Sequence, residues 1–136
     1  MIPLRQAAIG VLALIGAVAP LGGAHATHQQ VEGTVLGYAC VTQGISCPEG
    51  GEDAVVSSEK IFVVQTDDDG YFFVSNLDRA VLARHLGHRV RVTGDVDRKF
   101  QSVRAKILEV RRGDKWEVAW SKEMENEMRR RMRLDE

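Results

Sequence analysis

Two cysteines, a run of evenly spaced methionines and a few histidines are the side chains of this 136-residue chain best suited to chemistry. Cys40 and Cys47 are its only cysteines. The segment Cys-Val-Thr-Gln-Gly-Ile-Ser-Cys matches neither the Cys-x-x-Cys of dithiol oxidoreductases nor the Cys-x-x-Cys-His that attaches haem. Two thiolates make half of a zinc tetrahedron, and no histidine pair stands beside them at ligand spacing. The expected chemistry is a disulfide closing a small ring, worth about 2 to 3 kcal/mol through the unfolded chain. Thiol redox exchange is the alternative. Met124, Met128 and Met132 recur every four residues, with Trp120 one step earlier. On a helix they share one stripe. Thioethers select Cu(I), so a copper-handling accessory is one reading. Adaptable apolar packing against the body of the domain or a partner is the leading one.

The remaining candidates are weaker. His85 and His88 stand three residues apart without a third ligand, a placement that suits cations near a helix C-terminus. Asp67-Asp68-Asp69-Gly70 lacks the alternating oxygen ligands and distal Glu of a calcium loop and reads as a solvated turn. No nucleophile elbow, metalloprotease motif or glycine-rich phosphate loop occurs, so neither catalysis nor a cofactor is expected.

These residues sit in an exported chain, by the sequence. Arg5 is followed by an uncharged apolar stretch over residues 7–18, then Pro20, Gly22 and Gly23, then Ala24-His25-Ala26. That is the order of a secretory signal peptide, with cleavage before Thr27. Residues 1–26 are therefore assigned to the signal, and the protein to the periplasm or the exterior, where a disulfide persists. The whole chain carries 18 Lys and Arg against 19 Asp and Glu. The signal contains one base and no acid, so its removal shifts the balance slightly further negative. Near-neutral charge argues against nucleic acid, whose affinity rests on phosphate neutralisation. It leaves room for local basic patches.

Residues 31–38 alternate with Val31, Gly33, Val35 and Gly37 on one face, and the two glycines point to close backbone approach. A long loop over 39–58 holds the cysteines. Residues 61–65 and 71–74 flank the aspartate turn as a hairpin. Asn76 reads as a helix N-cap, Leu77, Val81, Leu82 and Leu86 as an apolar stripe, and Gly87 as the helix stop. Residues 88–96 alternate again. Residues 103–110 follow a polar loop and change phase between Ile107 and Leu108, which predicts a bulge. Residues 112–136 read as a short β segment and a charged helical tail.

Three strands, a short helix and two strands give a mainly β fold class: a five-stranded OB-fold Greek-key barrel over residues 27–111, with one short helix between strands three and four and a C-terminal helical extension. The stretches V-E-G-T-V, K-I-F-V-V, L-A-R-H-L-G-H-R-V-R-V-T-G-D-V and A-K-I-L-E-V, together with the export signal and the cysteine-bearing first loop, resemble small secreted or periplasmic bacterial OB-fold proteins over about residues 31–111. The resemblance implies a binding or stress-associated module and transfers no ligand residue.

OB-folds bind on the face of strands two and three, between the first and the last loop of the barrel. Tyr38, Tyr71 and Phe73 are the expected stacking platform there, and Arg98, Lys99 and Phe100 the expected grip on an anionic or aromatic ligand. The expected partner is a small ligand or a periplasmic protein. The Arg-rich tail, Arg129 to Arg131 and Arg133, is also suited to an anionic membrane surface. Nothing in the sequence fixes the oligomeric state.

Overall fold

The computed structural model describes residues 29–47 and 52–134. The signal read at 1–26 and its cleavage point lie outside the described residues. In chain order the elements are β1 (Gln29–Gly37), α1 (Tyr38–Gln43), α2 (Glu52–Ser58), β2 (Phe62–Gln65), β3 (Tyr71–Val74), α3 (Arg79–Ala83), β4 (Arg89–Asp97), β5 (Ser102–Arg112), β6 (Lys115–Ser121) and α4 (Lys122–Met132).

Every strand pairing but one is antiparallel, in the order β3-β2-β1-β4-β5-β6. The exception is a short parallel contact, Phe73 opposite Ser102 and Val74 opposite Val103, which joins β3 to β5. It closes five strands into a barrel, with β6 as an additional strand on β5. The seam is lengthened by a side chain. Asn76 Nδ2 donates to Ala105 O at 2.8 Å, and Ala105 N donates to Asn76 Oδ1 at 2.7 Å. The carboxamide thus imitates one more residue of strand. Asn76→Ala leaves both Ala105 backbone groups without this partner, and a loss of about 1–3 kcal/mol is expected. Urea unfolding should show it as a lower midpoint at an unchanged slope.

The inward alternation follows the sequence. Val31 and Val35 of β1, Phe62 and Val64 of β2, Val90 and Val92 of β4, and Val103, Ala105, Leu108 and Val110 of β5 form one core with Val74. Leu82 and Ala83 of α3 and Val55 of α2 complete it. Gly33 and Gly94 allow the walls to meet. A Cβ on Gly33 would lie 2.1 Å from Gln65 O, and one on Gly94 would lie 2.1 Å from Arg104 O.

The structure corrects several expectations. The stretch 39–58 is not simply a loop: α2 lies within it, and α1 enters it from Tyr38, which ends the first strand one residue earlier than expected, at Gly37. The short helix is N-capped by Asp78, whose side chain accepts from Ala80 N at 2.7 Å, because Asn76 is committed to the seam. The phase change in β5 falls one residue earlier. Thr93 pairs with Ile107 and Gly94 with Ala105, so Lys106 is the bulged residue. Residues 115–121 are a full strand rather than a short segment, and Trp120 belongs to the core instead of the methionine stripe. A second bulge causes this: Leu108 pairs with Trp120 but Glu109 with Val118, so the strand turns Trp120 inward.

Candidate ligand-binding site

The outer faces of β1, β2 and β3 present two cross-strand rows, Leu36-Val63-Phe73 and Thr34-Gln65-Tyr71. Val63 is fully buried although it points away from the barrel interior. Its cover comes from the outside, where α1 packs on β1 and β2. Tyr38, the first residue of α1, closes a triangle with Tyr71 and Phe73. Ring centroids are 5.7 Å apart for Tyr38–Tyr71, 5.4 Å for Tyr38–Phe73 and 5.6 Å for Tyr71–Phe73. Two of the three contacts are edge-on, the arrangement that ring quadrupoles favour. A hydrogen bond with the Tyr38 phenol raises the Tyr71 pKa above its usual range. All three rings are half-buried.

A carboxylate that the sequence did not flag holds α1 in place. Gly37 precedes the helix without a capping side chain, and Glu59 supplies the cap from across the loop, accepting from Ala39 N at 2.9 Å. Its other oxygen accepts from Lys60 N at 2.9 Å and Ile61 N at 3.2 Å. Arg79 then ties α3 to this segment through Val56 O and Glu59 O, the latter at 2.7 Å from Nη2.

The second wall is the β4–β5 loop. Asp97 Oδ1 accepts from Lys99 N at 3.0 Å and Phe100 N at 3.1 Å, which shapes a tight turn. Arg98, Lys99 and Phe100 are exposed, and Lys99 Nζ lies 5.3 Å from the Phe100 ring centroid. The loop joins the platform through the backbone: Phe73 N donates to Gln101 O at 2.8 Å. The structure therefore brings Tyr38, Tyr71 and Phe73 into one cluster. It links the loop carrying Arg98, Lys99 and Phe100 to that cluster through the Phe73–Gln101 backbone hydrogen bond.

On the opposite flank a cavity of about 510 Å³ opens between the outer face of β1 and the Cys40–Cys47 segment. Leu36, Val41, Ile45 and Leu86 give it apolar surface, and Thr34, Gln65, Ser46 and Asp69 give it polar groups. The two sulfurs are bonded, with the α-carbons 5.5 Å apart, and Cys40 is buried. Both half-cystines line the cavity.

The three aspartates of the β2–β3 turn go separate ways. Asp67 takes a two-pronged contact from Arg89, with both distances 2.7 Å. Asp68 accepts from the Thr66 hydroxyl, and Asp69 faces the cavity. The hydrogen bond to Arg89 holds the Asp67 carboxyl below the ordinary range, and the one from Thr66 does the same for Asp68. Arg89 also reaches Glu32 at 3.0 Å, Arg91 reaches Glu32 at 3.3 Å, and Arg91 lies 4.1 Å from the Trp116 ring centroid. This charged network braces the outer face of β1 and β4. Its signal in the sequence was the opposite charge on outward positions of two strands that turn out to be neighbours, Glu32 opposite Arg91.

His85 and His88 do not form a joint site. His88 is exposed, while His85 Nδ1 is buried with no hydrogen-bond partner among the described residues. Burial, and then the positive Arg112, lower the His85 pKa. Among the described residues no three His, Cys, Asp or Glu side chains gather closely enough to hold a metal ion. The methionines lie on α4, each about half exposed.

Comparison with protein-family models, with curated proteins and with solved structures finds no match to this chain.

Proposed function

We propose that this protein is an exported, non-enzymatic binding module of the OB-fold type. Its ligand face is the outer surface of β2 and β3 together with the β4–β5 loop. The barrel closes in the order β1-β2-β3-β5-β4 with α3 between β3 and β4, which is the strand circuit expected of that fold. The observation that carries the functional reading is the Tyr38–Tyr71–Phe73 cluster. Side chains from a helix and a strand meet within 5.7 Å on the outside of the barrel, apart from the main core. From the linked β4–β5 loop, Arg98 and Lys99 offer positive charge to an acidic group. The ligand class this suits is a planar aromatic anion.

Nuclear magnetic resonance titration with 2-naphthoate tests the reading. Amide shifts should concentrate at residues 71–73 and 98–101. Tyr71→Ala should weaken binding several-fold, because the ring is the stacking surface. Lys99→Ala should weaken the carboxylate but leave neutral naphthalene methanol unaffected. A short oligothymidylate should not compete, given the chain's balanced charge. Shifts confined to other faces, or none at about 10 mM naphthoate, a concentration at which even a weak stacking contact is populated, would rule the ligand face out.

The thiol-redox reading draws less support. Cys40 and Cys47 lack the Cys-x-x-Cys spacing of dithiol oxidoreductases, and Cys40 is buried.

A further inference from the structure

We infer that α4 is a self-association element: it pairs antiparallel with α4 of a second copy of this chain, methionine stripe against methionine stripe.

The helix is attached at one end. The Ser121 hydroxyl caps it by accepting from Met124 N at 3.2 Å, and it touches only β5 and β6 closely. None of its residues is buried. Met124, Met128 and Met132 are 51%, 51% and 54% exposed. An 11-residue helix is shorter than the roughly 12–15 residues at which isolated helices become even marginal in water. Its apolar stripe is the surface whose burial would stabilise it.

The order of charges selects the cover. At 100° per residue, Glu125 and Arg129 flank one side of Met128, and Glu127 and Arg131 flank the other. Between Glu125 and Arg131 the acid precedes the base on each flank, and Lys122, ion-paired to Glu125 at 3.3 Å, lies one turn earlier, beyond the Met128 centre. A two-fold axis through Met128 then sets Glu125 opposite Arg129 of the second copy, and Glu127 opposite Arg131 of the second copy. Met128 meets its own counterpart, and Met124 meets Met132. A parallel pairing would instead set like charges together. Glu127 already bonds Arg130 and Arg131 within the helix, both at 2.8 Å. These pairs are solvent-exposed and can be shared across an interface at little cost.

Two other uses of the stripe fit less well. An anionic lipid surface would meet Glu125 and Glu127 at the margins of the apolar strip. A single Cu(I) ion cannot join all three sulfurs, because residues eight apart are separated by about 12 Å along the axis. The helix pair is small, below the roughly 1,200 Å² of a standard interface, so association is expected at about 10 µM to 1 mM.

Cysteine cross-linking tests the geometry, since the native cysteines are already paired and an introduced thiol would be the free one. Under glutathione disulfide, Met128→Cys should yield a covalent dimer. Met124→Cys and Met132→Cys should cross-link when mixed and not when kept apart. Sedimentation equilibrium should show a dimer that weakens at least tenfold in Glu125→Arg and in Arg129→Glu, and returns when the two variants are mixed. A protein monomeric to 1 mM overturns the inference. So does self-linking of Met124→Cys in preference to mixed linking, or a dimer indifferent to both charge changes.

Discussion

Gly33→Val should leave the chain without a stable barrel, and Gly94→Val should do the same. The added Cβ would sit 2.1 Å from a backbone carbonyl oxygen in each case, Gln65 O or Arg104 O. Nothing there can step aside as a side-chain tip would, because both oxygens belong to strands of the closed sheet. Overpacking in a core commonly costs about 1–3 kcal/mol when side chains absorb it. A collision with the backbone of the next strand is expected to exceed that, a large part of the roughly 5–15 kcal/mol that holds a domain together. Gly44→Ala provides the comparison. Its φ of 65° is left-handed, but a Cβ there meets nothing within 4 Å, so a loss of only about 1 kcal/mol is expected. Circular dichroism and urea midpoints on the three variants check the ranking. A folded Gly33→Val protein with near-parental stability would show that the walls of the barrel are further apart than described.

Opening the Cys40–Cys47 bond should be the second largest effect. The ring spans a separation of seven residues, and its loss is expected to cost about 2 to 3 kcal/mol. For a domain of this size that corresponds to a fall of roughly 10–20 °C in Tm. The double serine variant should still fold, because the main core is assembled from the strands and α3 without the sulfurs. The consequence for binding is more specific. Both half-cystines wall the 510 Å³ cavity, so the variant should lose shape there first. Amide exchange should quicken over residues 40–47 while β4 and β5 remain protected. Equal protection in the two proteins would mean that α1 is held by Glu59 and its contacts with β1 and β2 alone.

Some of this was legible in the sequence and some was not. Strict alternation made β1 and β4 plain, since Val31, Val35, Val90 and Val92 face one interior. The cysteine pairing was legible because no other thiol competes. Tyr38, Tyr71 and Phe73 could be placed on one surface once the strand circuit was assumed. What could not be read depends on partners remote in the chain. Asn76 resembles a helix cap locally, and only the arrival of Ala105 at hydrogen-bond distance turns it into a strand surrogate. Glu59 caps a helix that begins 21 positions earlier, which no local pattern reports. Trp120 fits the four-residue stripe of the tail by spacing, yet the bulge opposite Glu109 rotates it inward. A bulge changes the parity of everything beyond it, and spacing alone does not reveal where one falls.

The position of β6 bears on how this protein behaves when crowded with copies of itself. Closing the barrel gives each of β1 to β4 a partner on both sides over part of its length, and among the described residues β6 pairs with β5 alone. Among the described residues, the far side of β6 is therefore an open border of backbone donors and acceptors along a whole strand. Growth of a fibre by strand addition needs a vacant border on each side of every molecule, so that one copy can pass the pairing on to the next. Pairing of β6 with β6 of a second copy uses up this border on both molecules. Lys115 and Glu117, both exposed on that strand, make even that step costly unless the copies align opposite charges. Pairing through β6 alone therefore ends at two copies by topology, before any side chain is consulted.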